Sequence, residues 1–197
     1  AVVSQGCEPI GPDMVITAGS GPCIEELAGT RAYTKIMSVL DDLGDDERLR
    51  RGMIFGGIVI DENVPEYRRG DFLVRALHGR DPYNDAVIIG DDVRVGQTFH
   101  LQLRDSTSAD DDLRSALQPF AADGPARTQG ALIFTCNGRG QSMFGTPHHD
   151  AAAVRDALNV PAAGMYCNGE IGPVGGRKFI DGYSVSLLVF TAAPEKR

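Results

Sequence analysis

Two stretches of this chain contain the same tripeptide: Ala131-Leu-Ile-Phe-Thr-Cys-Asn-Gly-Arg139 and Met165-Tyr-Cys-Asn-Gly-Glu170. Apolar runs lead into both, and we predict strands over Ala131–Cys136 and Ala162–Cys167. A helix is predicted between them, beginning at Thr146-Pro147 with proline at the first helical position. A strand, a helix and a strand in close succession form a βαβ unit, which makes the two strands parallel and the crossover right-handed.

The two Cys-Asn-Gly turns are therefore predicted to lie at one edge of a sheet. Parallel strands place their carboxyl ends together, and ligands of open α/β sheets bind at that edge. If the two strands are neighbours, the turns are roughly 5 Å apart; with one strand between them, the separation is roughly 10 Å. We predict one ligand-binding site that uses both turns.

The residues of the turns suit a small polar ligand. In Cys136-Asn137-Gly138 and Cys167-Asn168-Gly169, glycine permits positive φ and a close backbone approach, and asparagine supplies both donors and acceptors. Arg139 and Glu170 follow the turns at equivalent positions with opposite charge. They could clamp a zwitterion, with Arg139 on its carboxylate and Glu170 on its ammonium. The alternative is that the two side chains pair with each other and lock the loops.

The rest of the chain predicts an α/β fold in which helices pack on a mixed sheet. Short loops favour an antiparallel meander through residues 53–104. In its last strand an apolar face alternates with a polar one, and His78 and His100 are expected at the surface. The two faces are Phe99, Leu101, Leu103 and His100, Gln102, Arg104. The predicted strands are Ala1–Gln5, Met14–Thr17, Ile24–Leu27, Met53–Ile60, Phe72–His78, Ala86–Ile89, Gln97–Arg104 and Tyr183–Thr191.

Three further helical patterns are present. Thr30 is predicted to cap a helix, and the charged run Asp41–Arg51 forms either its solvated end or a second short helix. The serines and threonine of 106–108, followed by the acids of 110–112, predict a helix with acids in its first turn. Ala122–Thr128 is predicted as a surface loop. The expected buried faces are Tyr33, Ile36, Met37, Leu40 and Leu43 in the first helix, and Ala151, Val154 and Leu158 in the helix after Thr146.

Length and composition limit the classes of protein to which this chain can belong. The 197 residues are 42% hydrophobic and 23% charged, which is typical of a globular protein, and we interpret residues 1–197 as one domain. A net charge of −8 argues against nucleic acid and anionic membranes as partners. Four widely spaced cysteines favour reduced thiols, and no apolar run is long enough to span a membrane, so a cytoplasmic location is expected.

Longer motifs around the turns resemble the C-terminal part of FIST proteins. They are Phe134-Thr-Cys-Asn-Gly-Arg-Gly140, Met143-Phe-Gly145, Ala163-Gly-Met-Tyr-Cys-Asn-Gly-Glu-Ile-Gly-Pro173 and the segment from Phe179 to Phe190. Ser4-Gln-Gly-Cys7, Pro9-Ile-Gly11 and the pair Arg104-Asp105 extend the resemblance over essentially the whole chain. It implies an intracellular sensory domain for a small ligand, with amino acids proposed, alone or attached to histidine kinases or chemoreceptors.

The resemblance also enlarges the predicted site and marks two departures. It adds Gly172, Pro173 and Asp181 to the candidate ligand-binding residues. Family members often have Leu-His-Gly-(Phe/His)-Thr where this chain has Ile180-Asp-Gly-Tyr-Ser184, so a role carried by that imidazole does not transfer to Asp181. The family normally has an N-terminal FIST half before this region, and residues 1–29 are interpreted as a tail of it.

A thiol enzyme is the competing hypothesis. Cys136 or Cys167 could act as a nucleophile with His148 or His149 as its base, because the predicted helix N-terminus lies at the same edge and favours thiolate. Buried cysteines usually only pack, and we favour that interpretation. Neighbouring helical residues splay about 100° apart, so the two histidines are not expected to bind one metal ion.

The remaining polar candidates are weaker. Gly172-Pro-Val-Gly-Gly176 lacks the ending of a phosphate-binding loop and is predicted as a mobile loop over the pocket. Arg177 and Lys178 could reach an anionic ligand group from it or could keep it soluble. Arg104 and Asp105, at the end of the alternating strand, are candidates of the same kind. The sequence thus predicts a non-enzymatic sensory domain that binds a small molecule, without cofactor or metal, with a signalling protein or a second copy as possible partner. An interaction domain that acts through dimerisation is a further alternative.

Overall fold

The computed structural model describes residues 1–123 and 127–193 of the chain, so the centre of the predicted loop Ala122–Thr128 lies outside the described residues. The strands are β1 (Val2–Ser4), β2 (Glu8–Ser20), β3 (Cys23–Leu27), β4 (Thr30–Arg31), β5 (Met53–Val59), β6 (Phe72–Arg80), β7 (Val87–Ile89), β8 (Thr98–Arg104), β9 (Thr128–Cys136), β10 (Ala162–Cys167), β11 (Glu170–Val174), β12 (Arg177–Asp181) and β13 (Val185–Thr191). The α-helices are α1 (Ala32–Asp42), α2 (Glu47–Arg51), α3 (Ser106–Asp123), α4 (Gln141–Phe144) and α5 (His149–Leu158).

These elements form two units, which are described separately. One consists of residues 7–105, and the other of residues 1–6 together with residues 106–197. Helices and strands occur in both, and the four-stranded sheet of the second unit is mixed, which confirms the predicted fold class. The interpretation of residues 1–197 as one domain stays a prediction.

The unit of residues 7–105 is built on an antiparallel sheet in the order β2-β8-β5-β6-β7-β3-β4. The long strand β2 also pairs with β3, so six of the strands form a closed ring of pairings. The predicted meander is correct for β5, β6 and β7, but β8 then returns to the other side of β5. A core of apolar side chains from β2, β3, β5, β7, β8 and α1 fills this unit.

The predicted alternation of β8 between an apolar and a polar face is correct, but the polar face is not at the surface. All seven of its residues are buried, because a second apolar cluster that includes Phe55 and Phe72 covers the polar face. His100, which was expected at the surface, is only 6% exposed, and its ring lies 5.3 Å from that of Phe72. His78 is exposed as expected.

The first helix differs from its prediction at its start and along its face. Thr30 lies in β4, where it pairs with Leu27, and the helix begins only at Ala32. Its buried positions are Ala32, Ile36 and Val39. Met37 and Leu43 are exposed by 39% and 38% because they lie off that stripe. The charged run that follows does form a second short helix, α2.

The second unit contains a four-stranded sheet in the order β1-β13-β9-β10. The strands β9 and β10 are parallel neighbours, and Cys136 lies opposite Cys167 at the end of the ladder. Helices α3 and α5 pack on this sheet through Leu113 and Leu117 of α3 and Val154 and Leu158 of α5. The predicted pair of parallel strands joined through a helix is therefore confirmed, and of the two spacings left open the strands adopt the closer one, as direct neighbours.

Four local predictions in this unit are wrong. Helix α3 already begins at Ser106, so its first turn holds no acid. Helix α5 begins at His149 rather than at Thr146-Pro147, after His148 with a φ of 58°. Ala151 is exposed and Ala153 takes its place in the buried stripe. Gly172-Pro-Val-Gly-Gly176 is part of an antiparallel hairpin, β11 with β12, rather than a mobile loop.

Candidate functional site

The two Cys-Asn-Gly turns lie side by side at the carboxyl ends of β9 and β10. Because these strands are directly paired, the turns are separated by about one strand spacing, roughly 5 Å. After Cys136 the chain enters a short 3-10 turn, Asn137–Arg139. After Cys167 it passes through Gly169, whose φ of 122° suits glycine, into β11. The structure thus brings the two predicted turns together.

Arg139 points into the protein and is 1% exposed. Its Nε and Nη2 donate to the two carboxylate oxygens of Asp150, each at 2.9 Å, and Nη2 also donates to the carbonyl of Ala109 at 3.3 Å. The partner of Arg139 is therefore Asp150 and not Glu170, so the predicted mutual lock of the two turns is wrong. Neither Asp150 nor Thr135 is among the residues predicted for the ligand site.

Asp150 is held by four donors. Besides the two from Arg139, the hydroxyl of Thr135 donates to Oδ2, and Nδ1 of His149 lies 3.1 Å from Oδ1. Burial alone raises the pKa of Asp150, but the hydrogen bonds and charge of Arg139, together with those from Thr135 and His149, lower this pKa below its usual value. Asp150 is therefore an ionised carboxylate inside the protein.

His149 connects this cluster to α3. Its Nε2 lies 3.1 Å from Oδ1 of Asp110, and its ring stacks on Phe144 with 3.6 Å between ring centroids. The guanidinium of Arg139 lies 5.4 Å from the centre of the same Phe144 ring. His149 thus takes part in packing, whereas His148 is exposed.

Glu170 is also buried and is bonded within the protein. Its Oε2 accepts from the hydroxyl and the backbone amide of Ser184, at 2.9 and 3.3 Å, and its Oε1 accepts from the amide of Gly169 at 3.2 Å. Asp181 lies opposite Glu170 in the hairpin and is buried as well. The predicted zwitterion clamp stays a prediction, and it would have to exchange these internal bonds for bonds to a ligand.

Of the other predicted site residues, Gly138, Gly172 and Pro173 lie in the same unit as the two turns, and Arg104 lies in the unit of residues 7–105. Gly138 lies under the ring of Tyr183, since a Cβ there would be 2.4 Å from ring carbons. Gly172 and Pro173 lie in β11. Arg104 and Asp105 belong to the other unit, where the guanidinium of Arg104 lies 4.0 Å from the centre of the Phe55 ring. Asp105 accepts from Arg48 at 2.6 Å in that unit.

The cysteines of the turns differ in exposure. Cys136 is buried and Cys167 is partly exposed, and both are free thiols. Burial raises the pKa of Cys167, and the charge of Glu170 raises it further, so its thiolate is disfavoured at neutral pH. Among the described residues, no group of three or more His, Cys, Asp or Glu side chains is placed to hold a metal ion. No helix in the described ranges is long and apolar enough to cross a membrane.

An open cleft of about 610 Å³ lies along β10, beside the start of α5. Its walls are mostly aliphatic, with four polar side chains: Thr135, His148, Arg155 and Tyr166. Thr135 and Tyr166 precede the cysteines of the two turns, so this cleft ends where the turns begin. None of the residues predicted to bind the ligand lines this cleft, so the pocket predicted between the two turns and the cleft are different places. Thr135, Arg155 and Tyr166, which do line it, were not predicted as site residues. Arg177 and Lys178 lie exposed on β12 and do not line it.

These features define an α/β protein with a cleft that runs along the edge strand β10 beside α5. The chain belongs to the FIST C-domain family, whose model matches residues 31–173.

Two mycobacterial proteins are similar to nearly the whole chain. Uncharacterized protein Rv0628c of Mycobacterium tuberculosis is 42% identical over 193 residues, which is 96% of this chain and 50% of that protein. Uncharacterized protein Mb0898c of Mycobacterium bovis is 42% identical over 192 residues, with the same two shares. The chain thus spans about half the length of the curated relatives it matches.

Proposed function

We propose that this chain is a non-enzymatic sensory domain that binds a small polar metabolite in the cleft beside β10. Membership of the FIST C-domain family supports the sensory class. The observation that carries the location is the cleft itself. Its volume of about 610 Å³ lies within the range of roughly 300–1,000 Å³ found for small-molecule sites, and its lining combines aliphatic walls with a few polar groups. Amino acids and related acids are the first ligands to test.

A short series of hydrogen bonds would connect a ligand in this cleft to the turn Asn137–Arg139. The hydroxyl of Thr135 donates to Asp150, which leaves the oxygen of that hydroxyl able to accept from a ligand. Asp150 in turn holds Arg139, the last residue of the turn. A ligand that orders Thr135 would therefore also stabilise the turn, and this is the response that a downstream signalling protein could recognise.

The properties of the thiols weigh against an enzyme that uses them. A nucleophilic cysteine needs a lowered pKa and access to substrate. The pKa of Cys167 is raised, and Cys136 is buried. Both ring nitrogens of His149 already contact carboxylates, those of Asp110 and Asp150.

Thermal-shift screening of the full chain against amino acids, carboxylic acids, amines and sugars tests the proposal. A ligand present at 100 times its Kd should stabilise the protein by about 2.7 kcal/mol. Ala151→Trp places an indole in the cleft from an exposed position of α5 and should abolish the stabilisation. Ala121→Trp, at an exposed position of α3 outside the cleft, is the matched control and should preserve it. If both variants still respond, the ligand binds elsewhere.

A further inference from the structure

Among the described residues, the cleft is lined by basic side chains and by no acidic side chain. Arg155 carries the permanent charge of the lining and His148 adds an imidazole, whereas none of the lining residues is an acid. Thr135 and Tyr166 supply hydroxyl groups. The other walls are aliphatic, and their larger side chains are Ile133, Val160 and Met165. This lining differs in sign from the chain as a whole, whose net charge is −8.

Two acids that contact lining residues are already paired. Asp150 lies behind Thr135 and accepts from Arg139, Thr135 and His149, so its charge is balanced inside the protein. Asp156 pairs with Arg155 at 2.8 Å, but these side chains are 70% and 62% exposed. An ion pair this exposed is weak, so an incoming carboxylate can replace Asp156 on the guanidinium.

The carboxylate that was expected to bind a ligand ammonium is not part of the cleft. Glu170 is buried, accepts three hydrogen bonds from Gly169 and Ser184, and does not line the cavity. An ammonium group in the cleft would find no carboxylate among the lining residues, and Asp156 beside them is already paired with Arg155, so the loss of hydration is not offset there. A carboxylate would gain the charge-assisted hydrogen bonds of Arg155.

On the basis of the proposed function, we propose that the cleft selects a small aliphatic carboxylate without an ammonium group, such as a deaminated amino acid, rather than an amino acid. Arg155 pairs with the carboxylate. The hydroxyl of Thr135 or Tyr166 forms a hydrogen bond with the second oxygen of that carboxylate. The aliphatic tail lies against Ile133, Val160 and Met165.

Three probes that share one branched aliphatic tail test this selection: 4-methylpentanoate, leucine and 3-methylbutylamine. They carry a carboxylate alone, both charges, and an ammonium alone. Isothermal titration of the full chain at low and at physiological salt should give a Kd for 4-methylpentanoate at least about tenfold lower than for leucine, and no binding of the amine. The affinity for the carboxylate should fall as salt increases, because a partly exposed ion pair is screened.

Because Arg155 is exposed, substituting it tests the effect of its charge on binding without disturbing the fold. Arg155→Gln should weaken binding of 4-methylpentanoate by about two- to fivefold, the contribution of a largely exposed ion pair, and Arg155→Lys should retain part of the affinity. Arg51→Gln is the matched control, because Arg51 is an exposed helical arginine paired with Glu47 and lies in the other unit. It should leave binding unchanged.

The outcomes distinguish this inference from the function on which it rests. If leucine binds as tightly as 4-methylpentanoate, or if the wider screen finds only neutral or cationic ligands blocked by Ala151→Trp, the selection is wrong while the cleft remains a binding site. If 4-methylpentanoate binds and Arg155→Gln has no effect, the assignment of Arg155 is wrong. If no compound of any class binds, both proposals are wrong.

Discussion

Arg139 and Asp150 place two opposite charges in the interior, where water cannot solvate them. Two parallel hydrogen bonds join them, and Thr135 and His149 complete the shell around the carboxylate. Such pairs contribute little net stability over apolar residues of similar size, but the loss of one partner leaves an uncompensated charge. The pair therefore fixes how the turn Asn137–Arg139 is held against α5.

Arg139→Met should destabilise the chain by about 3–5 kcal/mol, because Asp150 would remain buried without its cation. Adding Asp150→Asn should recover more than about 1 kcal/mol of that loss, since the charge is then removed as well. Urea denaturation of the single and double variants gives both values. Strictly additive losses would show that the two side chains do not interact.

Stability should decrease in acid partly through Asp150. The pKa of Asp150 is lowered in the folded state relative to the unfolded value of about 3.9, so its contribution is present above that value. It is lost as the pH falls below about 4 towards the lower folded pKa. The urea midpoint of the native chain should therefore fall more steeply between about pH 5 and pH 2 than that of Asp150→Asn. Parallel curves would assign the acid sensitivity to other carboxylates.

The contact between β9 and β10 has no room for a side chain at its centre. Gly164 of β10 lies opposite Ile133 of β9, and a Cβ on Gly164 would be 1.8 Å from the carbonyl oxygen of Ile133. Glycine at this position allows the parallel pairing that brings the two turns together. Sequence reasoning placed the two strands correctly but did not assign this role to Gly164.

Gly164→Ala should separate the two strands and cost about 1–3 kcal/mol or more, because the clash is with backbone that cannot rotate away. The amides of residues 162–167 should lose protection in hydrogen exchange, and ligand binding in the cleft should be lost with them. Gly130→Ala in β9 is the control, since its Cβ would be 3.5 Å from the nearest atom, the Pro161 carbonyl oxygen. Equal effects of both substitutions would contradict this role of Gly164.

The unit that carries the cleft joins the first residues of the chain to its last strands. The strand β1 pairs with β13, and Asp112 of α3 accepts from the hydroxyl of Ser4 and the amide of Gly6, each at 2.7 Å. These bonds connect residues more than a hundred positions apart in the sequence. They help to hold α3 and the edge of the sheet together.

Asp112→Ala should destabilise the chain by about 1–3 kcal/mol, because the partly buried donors of Ser4 and Gly6 would lose their acceptor. Asp111→Ala removes an exposed acid from the adjacent helical position and should change stability by less than about 0.5 kcal/mol. Thermal unfolding of the two variants measures the difference. Similar midpoints would mean that β1 is held by its pairing with β13 alone.

The local pattern of apolar and polar residues was sufficient to predict much of the fold. Apolar runs identified β9 and β10, and because an intervening helix makes a parallel pairing possible, the two turns could be placed at one sheet edge. Most strands in residues 53–104 were also found, since each is an apolar run bounded by turn residues. The starts of α1 and α5 were misplaced because several adjacent residues of each segment are acceptable caps, whereas α3 begins at the predicted Ser106.

The partners of the charged groups were decided by the tertiary structure. Arg139 and Glu170 occupy equivalent places in two similar turns, which suggested that they face the same ligand or each other. In the folded chain Arg139 turns towards Asp150 on α5, and Glu170 turns towards Ser184. Sequence order and periodicity determine which strands form and how they run, because these depend on neighbouring residues. The partner of a buried charge depends on which distant element packs against it, and no local pattern encodes that.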